Sequence, residues 1–293
     1  MSGLEQARAH YEAEEFGKAR EAALAGLQER PDDADLLRLA GKAGAELGEG
    51  DAIDQLRRAT ELSPDDAEAW HDLGEALVIE GRNEEATEAF KRALELNPED
   101  EVALTHLGHA QAALGRDDEA ISTLAQAAEK RPPASSAAIS LVEMYRSVGQ
   151  PEQALSAAQN IAEADPNDVP SALDVAELSL ELGRLDEARA AFERLREIDD
   201  VAEHEVYVLH GMILVALQQG DEARARELAS EAAGIDRVGR SAQVLRFFEP
   251  DGGADEEEPP EAPPSREDVD AALKASQEEH RQMHAEDSRF GGE

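Results

Sequence analysis

Prolines return along this chain on a fixed beat: Pro31, Pro64, Pro98, Pro132 and Pro166 lie 33, 34, 34 and 34 residues apart, and Asp200 stands at the next expected place. Glycines keep the beat at Gly81, Gly115, Gly149 and Gly183, as do alanines at Ala52, Ala86, Ala120, Ala154 and Ala188. Three residue types in fixed phase define an internal repeat, and a unit of this length must bury its apolar face against its neighbours. The chain is therefore a row of similar units rather than one large core. Its composition agrees: 41% of residues are hydrophobic, enough for an ordered interior, but only 3% are aromatic. Ala and Leu must then supply the core in small increments, as layered helices do.

Within the unit that follows Pro64, Trp70, Leu73, Gly74 and Leu77 fall at i, i+3, i+4 and i+7, one apolar face of a helix. Gly81 can take the left-handed conformation that ends it. Ala86, Ala89, Phe90, Ala93 and Leu94 then make a second apolar stripe, which Asn97-Pro98 stops. Each unit is a helical hairpin. The small residues Ala40, Gly74, Gly108 and Ala176 are expected where the two helices of a hairpin approach closely.

Trp70, Leu73-Gly74, Gly81, Ala86, Phe90 and Pro98 resemble the tetratricopeptide repeat (TPR). The resemblance implies an all-α chain, a right-handed α-solenoid of about seven stacked helical hairpins, and the composition after Glu249 adds a disordered acidic C-terminal tail. The units run over residues 1–32, 33–66, 67–100, 101–134, 135–168, 169–202 and 203–236. The first is short, with Ala7, Tyr11 and Phe16 standing in for the usual stripe, and a capping helix over 237–249, including Phe247 and Phe248, is expected to close the last.

The net charge is −39, which would repel phosphate backbones and anionic headgroups, so neither nucleic acid nor a membrane surface is expected as a partner. From Glu249 onward there are 15 acidic and 4 basic residues, a net −11 that leaves −28 on the repeats. With no cysteine in the chain, disulfides and thiolate metal sites are excluded. The N-terminus has neither a basic nor an apolar leader region, and no apolar run is long enough to span a bilayer, so a cytoplasmic location is expected.

Residues 250–264, rich in Pro and carboxylates, form an extended linker. In the tail at 265–293, Ser265 reads as a helix N-cap, and Val269, Leu273 and Met283 mark a modest apolar side of a helix over about 266–286. The tail is either a docking peptide, for a partner or for the chain's own groove, or a solvated segment. The weakness of its stripe favours the solvated reading.

No phosphate loop, nucleophile elbow or isolated carboxylate pair is present, so no enzyme activity and no cofactor are expected. Asp65-Asp66 and Asp199-Asp200 read as turn and capping residues. His71, His106 and His109 read as ordinary surface histidines. His106 and His109 are three apart on one helix, but no third ligand follows from the spacing, so no metal is expected either.

The resemblance further implies a concave groove lined by the first helix of each unit. Its lining would be Glu68, His71, Glu75, Val78, Val102, Thr105, His109, Ile139, Glu143, Arg146, Leu173, Glu177 and Leu180. Glu75, Glu143 and Glu177 share one phase and would form a ladder of negative charge. Such a groove would suit a protein or peptide that is basic with apolar anchors. The family's clamp for a C-terminal carboxylate is missing, its places being held by Asp72, Glu75, His106 and His109. Two functions stay open at this stage: an interaction scaffold or assembly adaptor, and a dedicated cytoplasmic chaperone or secretion-escort protein that shields an apolar client segment. Self-association through the end repeats is a further option.

Overall fold

The computed structural model describes residues 3–130, 135–198, 204–235, 244, 267, 269 and 271–275, and every regular element among them is helical. The chain divides into a unit of residues 1–149 and a unit of residues 150–293. The first unit holds α1 (Gly3–Glu12), α2 (Phe16–Glu29), α3 (Ala34–Glu46), α4 (Ala52–Leu62), α5 (Ala67–Ile79), α6 (Asn83–Leu96), α7 (Glu101–Ala113), α8 (Asp117–Lys130) and α9 (Ser136–Ser147). Consecutive helices pack as antiparallel neighbours, and the first helices also meet one another, α3 with α5, α5 with α7 and α7 with α9. The second unit holds α10 (Pro151–Ala164), α11 (Val169–Glu181), α12 (Leu185–Leu195), α13 (Glu205–Gln219) and α14 (Glu222–Ile235), with the same nearest-neighbour packing.

A carboxylate starts most first helices. Asp33, Asp66, Asp100 and Asp168 each accept a hydrogen bond from a backbone N–H in the first turn of α3, α5, α7 and α11, and Ser135 does so for α9. These side chains satisfy donors that the helix leaves unpaired and place negative charge at its positive end. The Trp70 indole N–H donates to the carbonyl of Pro64 at 3.0 Å, tying the turn between hairpins to the helix that follows.

The turn inside each hairpin depends on the left-handed conformation. Gly81, Gly115, Gly149 and Gly183 have φ between 68° and 71°, and Gly48 and Gly220 do the same work at 68° and 77°. Around Gly81 the bonds Gly81 N–H to Val78 O (2.9 Å) and Arg82 N–H to Leu77 O (2.8 Å) close the end of α5. In the first hairpin this place is filled by Glu14, at φ 56°, the one non-glycine with positive φ among the described residues. A side chain there carries a steric cost of roughly 1–2 kcal/mol.

Close approach of the helices is set by a missing side chain. A Cβ on Gly74 would lie 2.5 Å from the Phe90 ring, and one on Gly108 would lie 2.7 Å from Cγ of Leu124. In the second hairpin Gly41, not Ala40, makes this approach: a Cβ there would lie 2.6 Å from Cγ of Leu56, whereas Ala40 is buried with Leu36 of its own helix and with Ala7 and Ala23 of the preceding helices. The physical reason is register, since the first full repeat is one residue shorter than the others.

α13 is buried all round, from Tyr207 to Leu217 without a break. A helix apolar on every side must be covered on every side. α11, α12 and α14 pack against it, and Val244, Val269 and Leu273 belong to the same apolar cluster, each no more than 2% exposed. Two readings are open for the tail; its described helical stretch at 271–275 carries Leu273 into the core of the second unit. Phe247, Phe248, Met283 and the linker at 250–264 lie outside the described residues.

Two substitutions test this account. Gly74→Ala gains about 1 kcal/mol of helix propensity but overpacks the Phe90 ring at about 2 kcal/mol, so a net loss in urea denaturation is expected. Val269→Asp with Leu273→Asp should uncover α13, lowering the melting temperature and raising binding of the dye ANS.

Candidate partner-binding groove

The expected groove positions recur every three or four residues along α5, α7 and α9, so they share one face of three adjoining helices in the first unit. Three large apolar side chains stand exposed on it: Val78 at 38%, Val102 at 45% and Ile139 at 42%. Around them lie charged and polar groups. The exposed Glu68 carboxylate pairs with Arg38 at 2.8 Å, and His109 Nε2 meets Ser140 Oγ at 2.8 Å, bridging α7 and α9. Glu143 is exposed and Arg146 half-buried. Thr105, expected to line the groove, is 5% exposed and donates its hydroxyl to the carbonyl of Glu101 at 2.9 Å. It serves α7 instead.

In the second unit the corresponding face is closed. Leu173, Glu177 and Leu180 on α11 are 6%, 5% and 8% exposed. Leu173 and Leu180 sit in the cluster that also contains α13, Val269 and Leu273. The expected ladder of Glu75, Glu143 and Glu177 is therefore not a continuous exposed row, because Glu177 is buried. Among the described residues, the expected groove positions that stay exposed lie on α5, α7 and α9.

Beneath the Glu68 end of the face on α5, α7 and α9 a buried carboxylate meets two half-buried cations, a pairing that the sequence reading did not single out. Asp72, its side chain 2% exposed, accepts from Arg38 Nη1 at 3.0 Å and Lys42 Nζ at 2.7 Å. Burial pulls the Lys42 pKa down, but the Asp72 charge and hydrogen bond outweigh it and leave the amine above its ordinary value. Lys42 also lies 5.4 Å from the centroid of the Tyr11 ring, a cation–π contact from α3 to α1. The signal was available: Asp72 sits one residue before the apolar Leu73 in α5, and Arg38 and Lys42 are four apart on α3.

Beside this group, His71 and His106 stack with ring planes 12° apart, His71 Nε2 lying 3.2 Å from His106 Nδ1, and the Phe90 ring lies 5.7 Å from each. Burial, followed by the neighbouring His71 and His109, lowers His106 to about 4. Glu75 shifts the other way, raised by burial against the opposing pull of His71 and Lys42.

A row of capped helical hairpins, closed by left-handed glycine turns and meeting through small residues, is a helical repeat protein. Residues 77–144 and 145–213 each match one model of the tetratricopeptide repeat, and residues 50–101 match a second. The chain belongs to the tetratricopeptide repeat family, whose members serve as protein-interaction scaffolds. Comparison with curated proteins finds no match. Among solved structures, the crystal structure of MamA is 25% identical, covers 55% of this chain and 94% of its own, and superposes with a TM-score of 0.50. YrrB, described as a TPR protein with an unusual peptide-binding site, is 19% identical over 67% of this chain and 99% of its own, with a TM-score of 0.53. The C-terminal part of a TPR repeat-containing protein from Cytophaga hutchinsonii is 14% identical over 83% of this chain and 99% of its own, at 0.70. The last two likenesses show the fold alone. No helix among the described residues is long and apolar enough to cross a membrane.

Two outcomes follow from the charges. Asp72→Ala leaves Arg38 and Lys42 without their shared anion and should destabilise the first unit by about 3 kcal/mol in chemical denaturation. For His106, the unfolded chain takes up a proton near 6.5 and the folded chain only near 4. The unfolded state therefore binds more protons in that window, and stability falls as the pH is lowered through it. His106→Gln in a chelator-treated buffer should flatten this acid side of the melting-temperature profile.

Proposed function

We propose that this protein is a cytoplasmic, non-catalytic scaffold that binds a basic peptide or helix with apolar anchors across α5, α7 and α9. The observation that carries the reading is the exposure of Val78, Val102 and Ile139 on one face, on three successive first helices, with Glu68, Glu75 and Glu143 around them. Isolated exposed apolar residues are ordinary, but three on one face, one on each of three successive first helices, offer separate seats for successive anchors. The carboxylates attract basic residues and repel acidic ones, giving the partner its charge preference. The spacing also favours discrete anchors over a chaperone's continuous apolar surface, since polar side chains separate the three. His71, His109 and Arg146 supply hydrogen-bonding groups along the same face, while Leu173, Glu177 and Leu180 would join only if the second unit opened.

Selection of a displayed peptide library on the purified protein tests this. The enriched peptides should carry Lys or Arg interleaved with Leu, Ile or Phe. Val102→Glu with Ile139→Glu should then weaken the best peptide by about tenfold or more, while Glu143→Lys should shift the preference away from basic sequences. Enrichment of acidic peptides, or affinity untouched by the double substitution, would refute the groove.

A further inference from the structure

We propose that His71, Glu75 and His106 form a three-ligand site for a divalent transition-metal ion of the Zn²⁺ type. His71 and Glu75 lie one turn apart on α5, and His106 reaches them from α7 of the next hairpin. His71 Nε2 and His106 Nδ1 are 3.2 Å apart, and His106 Nδ1 and Glu75 Oε1 are 3.5 Å apart. One ligand atom from each of the three residues can be chosen so that all lie within 4.8 Å of one another.

Those separations have a simple reading. An ion bound tetrahedrally with bonds of about 2.0–2.1 Å holds its ligand atoms roughly 3.3 Å apart. The His71–His106 and His106–Glu75 separations bracket that value, and the His71–Glu75 separation, 3.9 Å between Nδ1 and Oε2, closes to it by side-chain rotation within one helix. Two imidazoles and one carboxylate are a donor set that suits zinc, and three protein ligands leave the fourth position for water.

The surroundings support the same assignment. The Phe90 ring backs both imidazoles and limits their freedom to turn away. The ligand side chains keep 16% (His71), 34% (Glu75) and 32% (His106) of their surface exposed, so an ion can enter from solvent. One cation is close: Lys42 Nζ lies 4.0 Å from Glu75. Its charge is met at 2.7 Å by Asp72, which leaves Glu75 to neutralise part of the charge on a metal ion. The expectation of no metal rested on the spacing of His71, His106 and His109, from which no third ligand followed; Glu75 was not among the residues weighed. His109 instead faces Ser140.

The test is calorimetric titration of Zn²⁺ into the untagged, chelator-stripped full chain, together with thermal melts. One ion per chain is expected, with a melting temperature raised by about 5 °C at a hundredfold excess over the dissociation constant. His71→Ala and His106→Ala should each weaken binding by at least about tenfold. Glu75→Gln keeps the shape of the side chain and so the fold, checked by circular dichroism, and should weaken binding as well. His10→Ala, in the first hairpin, should bind as the parent does. Absence of saturable binding by the parent chain would overturn the site. So would equal affinity in Glu75→Gln, or a loss in His109→Ala as large as that in His106→Ala.

Discussion

A helical hairpin has more apolar surface than its own two helices can cover, and everything else in this chain follows from that deficit. Each hairpin passes its uncovered stripe to the next, so contacts run between neighbours: α5 meets α3, α6 and α7. The row must then end somewhere. α13 shows what ending requires, because eleven successive buried residues cannot be served by hairpin partners alone. Val244, Val269 and Leu273 make up the remainder. Val244, Val269 and Leu273 are thus as much a part of the fold as the repeats are, although they lie outside the repeat's pattern.

Much of this was legible in the sequence because backbone geometry is unforgiving where glycine is needed. The 34-residue beat located the turns at Gly81, Gly115, Gly149 and Gly183, all of which take positive φ. It passed over Gly48 and Gly220, which lie 33 and 37 residues from their neighbours in the series. The same slip of one residue put Ala40 in place of Gly41. Phase finds a repeat, but only packing finds its insertions and deletions.

The groove was less legible, since position in a repeat fixes direction but not what lies opposite. Val78, Val102 and Ile139 are exposed as their phase implies. Leu173 and Leu180 have a comparable phase and are buried, because the core built around α13 includes them. Charge was harder still. Asp72 looks like one of many surface acids until Arg38 and Lys42 from the preceding hairpin converge on it. His71 and His106 are 35 residues apart in sequence, and only the side-by-side packing of α5 and α7 brings their rings together. Interactions between repeats are invisible to any pattern read within one.

The turn at Glu14 bears on how the molecule comes apart. The other hairpin turns of the first unit with positive φ use glycine, whereas this one holds a β-carbon in a conformation that disfavours it. Among the described residues, α1 and α2 pack on each other and on α3. In a quasi-one-dimensional array, opening is cheapest where interfaces are fewest. The strain at Glu14 makes the hairpin of α1 and α2 the one that opens most readily, ahead of the glycine-closed hairpins that follow it. Amide protons of α1 would then exchange with solvent sooner than those of α5 or α7, giving the scaffold a built-in direction of unravelling that leaves the open face on α5, α7 and α9 intact longest.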